Sequence, residues 1–257
     1  MKELAAIIIT HKEPRQYFRK LKADLNKKIR LTDKQIIEIS NANNNIGFPA
    51  AVNKGIKKAI AQNYSLFLIL NPDLRMAKLS IKEIRNSLKH FDIFGGVLIQ
   101  NDHHYYKGVV DKTYLSGSFS QEKPNQTYIP SDFVSGSCMF IKKRAVEKIG
   151  YMYEPYFLYY DDVDYCYRAR QKNFRVGINQ NISYQHAELS TTIIPKKEYY
   201  LSRSHLMFLS QYGNFKQKIR MGFKLIFQIS SLLLKSDQKS KQKLSGILDF
   251  LKHKHGP

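Results

Sequence analysis

Cysteine is scarce in this sequence: Cys138 and Cys166 lie in different segments, with no zinc-ligand spacing between them. That excludes a disulfide-stapled scaffold and a cysteine metal site, and the pair reads as buried thiols of a protein in a reducing cytoplasm. Long apolar runs are missing as well. The stretch from Met221 to Lys235 falls short of the roughly 20 residues that span a bilayer. A mean hydropathy of −0.43 argues in the same direction, against an integral membrane protein. Only a short apolar strand follows Lys2-Glu3, so no signal peptide is expected. There is no internal repeat or low-complexity segment, and the lack of tryptophan excludes nothing. Acids are the remaining shortage: 21 Asp and Glu stand against 42 Lys and Arg, a net charge of +21.

What is present reads as an α/β protein. A chain of 257 residues accommodates one α/β domain and an appendage, and 43% hydrophobic residues suffice for a substantial core. Strands are predicted near residues 4–10, 35–40, 66–70, 94–99, 133–141 and 174–185. Helices are predicted at 14–28, 49–62, 79–90 and 142–149. Their alternation argues for a mostly parallel central sheet flanked by helices. The polar segment Asn101 to Pro130 reads as an excursion over the site, with His103 and His104 as surface loop histidines.

The few acids are placed informatively. In Phe157-Leu-Tyr-Tyr-Asp-Asp-Val-Asp164, Asp161, Asp162 and Asp164 follow an aromatic run and open a helix that continues to Arg168 and Arg170. Packed carboxylates repel one another, so at least one should have the raised pKa a general base requires. The competing reading is an acid cluster that caps a helix. Leu66 to Leu70 is uniformly apolar, as a strand buried on both faces reads, and it stops at Asn71-Pro72-Asp73. Asp73 is therefore expected at the carboxyl end of a central strand, where open α/β sheets place ligands. A later strand from Arg175 ends at His186, a candidate divalent-cation ligand, with Ser190 four residues on as a candidate phosphate contact.

These segments, taken in order, resemble inverting, metal-dependent glycosyltransferases of family 2. The resemblance covers residues 4 to 191 through Ala5-Ala-Ile-Ile-Ile-Thr-His11, Asn45-Ile-Gly-Phe-Pro-Ala-Ala-Val-Asn-Lys-Gly55, Asn71-Pro-Asp73, Phe133-Val-Ser-Gly-Ser-Cys-Met-Phe140, Tyr160-Asp-Asp-Val-Asp164 and His186. It points most directly to bacterial rhamnosyltransferase- and galactofuranosyltransferase-type enzymes of surface polysaccharide synthesis. The implied fold is GT-A, the nucleotide-diphospho-sugar transferase fold, over residues 1–205, with a basic helical segment at 206–257.

The resemblance also implies roles. Asp73 and His186 would hold Mg²⁺ or Mn²⁺ on the donor diphosphate. Asp162 would be the base that deprotonates the acceptor hydroxyl and Asp161 its neighbour, an assignment that can be reversed. Thr10, Gly47, Asn53 and Arg203 would lie on the donor side. Ser135, Gly136, Ser137 and Tyr160 would lie on the acceptor side. The donor would be a nucleoside-diphosphate sugar, TDP-rhamnose or a UDP-sugar, and the acceptor a glycan or lipid-linked glycan. One departure stands out: relatives carry a second strand ending in Asp-Asn-x-Ser, whose acid reads the nucleobase. No such segment is evident here, and Asp33 is a candidate remnant.

Charge is uneven. From Lys196 onward thirteen bases face three acids, and Gly222, Leu225, Ile226, Ile229, Leu232 and Leu233 share one helical face flanked by Lys216, Lys218, Arg220, Lys224 and Lys235. Such a helix either lies on an anionic membrane, at the inner face of the cell membrane, or packs on the catalytic domain or in a homo-oligomer. The tail from Ser236 reads as a further helix or a partly disordered segment. Basicity and 12% aromatic residues also suit a nucleic-acid binder, but Asp161, Asp162 and Asp164 would repel a phosphate backbone. The remaining competitor is an inactive scaffold of the same fold.

Overall fold

The computed structural model describes residues 2–186, 196–254 and 256. It begins with β1 (Leu4–Thr10), α1 (Arg15–Ile29), β2 (Ile36–Ser40), α2 (Phe48–Ala61), β3 (Leu66–Leu70), β4 (Leu74–Lys78), α3 (Ile81–His90) and β5 (Ile93–Gln100). The excursion holds β6 (His103–Tyr105), β7 (Lys107–Val110), β8 (Gly117–Ser120) and β9 (Tyr128–Pro130). Then follow β10 (Cys138–Lys142), α4 (Lys143–Ile149), α5 (Asp161–Gln171), β11 (Val176–His186), α6 (Lys197–Tyr212), α7 (Phe215–Leu233) and α8 (Gln238–Leu251).

The main sheet has the order β2-β1-β3-β10-β5-β11-β4. β1 pairs in parallel with β2 and β3, and β5 with β11, whereas β10 runs against both β3 and β5. Alternate residues of the central strands feed two cores. Ala5, Ile7 and Ile9 join Val52 and Ile56 of α2 on one face; Leu4, Ala6 and Ile8 join Leu21 and Leu25 of α1 on the other. Burial on both faces is why these strands read as unbroken apolar runs. Cys138 and Cys166 are free, buried thiols, and burial pushes both pKa values up.

This topology brings several chain ends to one rim. Thr10 and Ser40 are register partners at the ends of β1 and β2, Cys138 faces Leu70 where β10 begins, and His186 faces Leu74 at the start of β4. The predicted strand 133–141 starts late, because residues 135–138 form a turn closed by the Cys138 amide on the Ser135 carbonyl at 3.2 Å. His103 and His104 are exposed, as expected of surface histidines, but they lie on the short strand β6 rather than in a loop.

Among the described residues the C-terminal region forms three helices, and the tail from Ser236 contains the last of them, α8. Asp237 caps α8 by accepting from the Ser240 amide at 3.0 Å. The expected boundary between residues 205 and 206 falls inside α6, which is continuous across it. The buried side chains of α6 extend from Tyr199 to Leu209, so the helix is shared between the two regions.

Candidate active site

Asp73 follows the turn that ends β3, and Leu74 then enters β4 beside β11. That pairing sets His186 next to it: Nδ1 lies 3.1 Å from Asp73 Oδ2, and both side chains are partly buried. Residues 113 positions apart thus form one carboxylate–imidazole pair. Two neighbouring ligands of an octahedral ion with bonds of about 2.1 Å stand roughly 3 Å apart, so the pair fits one divalent cation. Among the described residues, no third His, Cys, Asp or Glu joins them. Ser190, the candidate phosphate contact, lies outside the described residues.

The Ser135-Gly136-Ser137 turn sits between this pair and the acids. The Asn71 amide donates to the Ser137 carbonyl at 3.0 Å, and the Gly136 amide donates to Asp162 Oδ2 at 2.9 Å. Ser135 Oγ and Ser137 Oγ are 2.8 Å apart. Asp162 Oδ1 accepts from the Val163 amide at 2.8 Å, so two backbone donors fix a carboxylate that remains partly exposed. Burial nevertheless pushes its pKa up, against the pull of those donors. Asp161 is buried, meets no cation among the described residues, and is pushed well above the carboxylate range by burial and by the Asp162 charge. Asp164 is structural: it accepts from Arg168 Nε at 2.8 Å and from the Tyr212 hydroxyl at 2.6 Å.

The acids enter their helix through a strained turn. Phe157, Tyr159 and Tyr160 each have φ of 64°, a left-handed conformation that costs a non-glycine residue about 1 kcal/mol or more. Three neighbours hold the turn. The Phe48 amide donates to the Phe157 carbonyl at 2.8 Å, Arg203 Nη2 to the Tyr156 carbonyl at 3.2 Å, and Ser204 Oγ to the Leu158 carbonyl at 3.1 Å. Gly47 makes this approach possible: its φ is 86°, and an added Cβ would stand 2.8 Å from the Phe157 carbonyl oxygen.

Several expected site residues are therefore placed differently. Arg203, expected at the diphosphate, is 1% exposed, packs against the rings of Tyr199 and Tyr200, and also donates to the Gly256 carbonyl. Asn53, expected near the nucleotide, uses its amide on the Met152 backbone and Glu154, with all three contacts at 2.9 Å. Both hold the loops behind the acids instead, because a buried polar side chain must find its partners where it is buried. Gly47 shapes the same turn. Tyr160 is buried, stacks on His205 and accepts from the Gly117 amide at 3.2 Å, so it ties the acid helix to the β7–β8 hairpin.

Thr10 does face a pocket. A cleft of about 120 Å³ at the ends of β1 and β2 is lined by Thr10, His11, Phe18, Glu38, Ser40 and Pro72. The strand expected at 35–40 is present as β2. It ends at Ser40-Asn41-Ala-Asn43, with Ser40 where the resemblance leads one to expect an acid. Glu38, two residues earlier, accepts from Thr10 Oγ1 at 2.9 Å and pairs with Arg15, whose hydrogen bond keeps the Glu38 carboxyl below its usual range. Asp33 is no remnant: it is exposed at the opposite end of β2, bridged to Lys22. The missed signal was period two, which sets Glu38 and Ser40 on the same side of the strand.

A sheet of this order, with its polar rim at the strand ends, defines the GT-A class, and comparison with known proteins agrees. The chain belongs to glycosyl transferase family 2, whose model matches residues 14–150. It is 30% identical over 160 residues to the low-salt glycan biosynthesis hexosyltransferase Agl10 of the archaeon Haloferax volcanii, a match covering 58% of this chain. The match spans about half, 52%, of that relative's length. In fold it resembles the mannosyltransferase PcManGT of Pyrobaculum calidifontis, solved with GDP-Man and Mn²⁺, with a TM-score of 0.55 at 8% identity over 98% of this chain and 88% of that one. It also resembles GalNAc-T7, solved with UDP, GalNAc and Mn²⁺, with a TM-score of 0.57 at 12% identity over 72% of this chain and 43% of that one.

Proposed function

We propose that the chain is an inverting glycosyltransferase that moves a sugar from a nucleoside-diphosphate donor to a hydroxyl of a glycan or lipid-linked acceptor. The observation that carries this reading is the pairing across one small turn: Asp73 and His186 on one side of residues 135–137, and Asp162, held by two backbone amides, on the other. Asp162 takes the acceptor proton, since it is the more accessible of the two neighbouring acids. The acceptor oxygen bonds to the anomeric carbon as the bond to the diphosphate breaks on the opposite face. The leaving nucleotide keeps the electron pair, and the centre inverts. Asp73 and His186 would hold the divalent cation, and an oxygen–nitrogen donor pair suits Mn²⁺ better than Mg²⁺. Bound there, the ion supplies positive charge for the departing diphosphate. The β1–β2 cleft is the place for the nucleobase, with Glu38 as the acid that meets it in place of Ser40. TDP-rhamnose and UDP-sugars are the donors to try first.

The test is a transfer assay with sugar nucleotides on Asp162→Asn and Asp161→Asn. Loss of a positioned base should lower turnover by about 10²–10⁴-fold in Asp162→Asn, with donor binding unchanged. Full turnover in that variant would overturn the assignment.

A further inference from the structure

Helix α7 carries two apolar faces, and the fold uses one of them. Met221 and Leu232 are buried and Leu225 and Ile229 half-buried against Leu206 and Leu209 of α6 and Ile247 of α8. The face anticipated from the sequence is thus split, and Ile226 and Leu233 stay outside. They join a second stripe that is exposed: Phe215 at 77%, Phe223 at 63%, Ile226 at 62%, Phe227 at 75% and Leu233 at 67%. Their spacing follows the helical period, so the five line one side of α7. Folded proteins rarely leave so large an apolar stripe in water unless something covers it.

We propose that this stripe docks on an anionic membrane surface, with α7 lying in the plane of the interface. Charge decides the occupant. Lys216, Lys218 and Arg220 are exposed in the first two turns, and α7 contains no acid. A second copy of a chain with net charge +21 would bring those cations against their equivalents with no carboxylate on the helix to pair them. An anionic headgroup layer accepts both the cations and the apolar side chains. Among the described residues no helix is long and apolar enough to cross a membrane, which suits a helix that lies on one.

The helix is also tied to the acid side of the site. Gln217 Nε2 donates to the Lys112 carbonyl at 2.8 Å, and the Lys224 ammonium sits 3.9 Å from the centre of the Tyr114 ring. Both partners belong to the hairpin whose Gly117 meets Tyr160. A docked α7 would hold this side of the cleft near the bilayer, where a lipid-linked acceptor is presented.

The experiment is co-sedimentation of the full chain with vesicles of phosphatidylcholine alone or mixed with phosphatidylglycerol. The expected result is binding to the mixed vesicles, weakened as salt rises from about 0.1 to about 1 M and screening shortens. Phe223→Ser with Phe227→Ser should reduce binding at least about tenfold with the melting temperature unchanged, since both rings are already exposed. Replacing Lys216, Lys218 and Arg220 by Gln should weaken binding and flatten its salt dependence. Absence of binding to mixed vesicles, or binding indifferent to the phenylalanine changes, overturns the proposal. So does a dimer in sedimentation equilibrium that those changes dissociate. The outcome is separable from the transfer reading, because vesicle binding needs no sugar nucleotide.

Discussion

Asp161, Asp162 and Asp164 occupy a single helical turn yet meet three environments. Asp164 faces Arg168 and Tyr212, Asp162 faces two amides and solvent, and Asp161 is buried without a cation among the described residues. The Asp161 carboxyl is raised in the folded chain above its unfolded value of about 3.9. Its ionisation therefore opposes folding: below that value the protonated group costs nothing, and stability is lost as pH rises through the folded pKa. Asp161→Asn should accordingly raise the melting temperature at pH 7.5, with the gain fading towards pH 4. A melting temperature equal to wild type at both pH values would contradict that environment. For Asp162, a raised pKa predicts that the acid limb of turnover lies above the ordinary carboxylate range, and a pH–rate profile reads it directly. Glu38→Gln should raise the donor KM and leave kcat close to wild type. The aspartates were legible because acids next to an aromatic run are unusual. Arg203 and Asn53 misled because residue type shows capacity for a contact and burial decides which contact is made.

At the scale of elements, the strained turn before α5 and the helices that hold it form the link between fold and site. Arg203 donates to the Tyr156 carbonyl there, so Arg203→Met should lower both stability and turnover; an unpaired buried polar group typically costs about 1–3 kcal/mol. Gly47→Ala should act on the same turn from the other side, through its φ of 86° and the close Phe157 carbonyl. Thermal melts with parallel activity assays check both, and an inactive yet fully stable Arg203→Met would return that side chain to the donor site. Strands β1, β2, β3, β5, β10 and β11 and the first four helices were readable because burial leaves apolar runs and the helices keep the 3.6 period, whereas the short β6 to β9, hidden in a polar segment, were not. β4 was not, since Leu74-Arg-Met-Ala-Lys78 is an edge strand with half its residues outward. Glu38 of β2 was passed over for a different reason: it stands two residues before the place where the resemblance leads one to expect an acid.

For the whole molecule, the antiparallel β10 is the feature no local pattern announces. Strand direction depends on where the chain returns, and the return through residues 101–137 brings Ser135-Gly136-Ser137 between Asp73 and Asp162. The candidate site is thus a product of topology: a pair 113 residues apart and an acid helix meet because β3 and β11 end, and β10 begins, at one rim. The basic helical end lies outside this logic and is tested separately on vesicles. The central claim is a metal-assisted donor site, and thermal stability tests it most directly. Wild type and Asp73→Ala would be melted with UDP, TDP, GDP and CDP, each with and without Mn²⁺. A ligand at a hundredfold excess over its Kd adds about 2.7 kcal/mol of stability. The account predicts a shift with at least one nucleotide that requires Mn²⁺ and vanishes in Asp73→Ala. Well-folded wild-type protein that shifts with none of them, or an Asp73→Ala variant that shifts just as far, would contradict it.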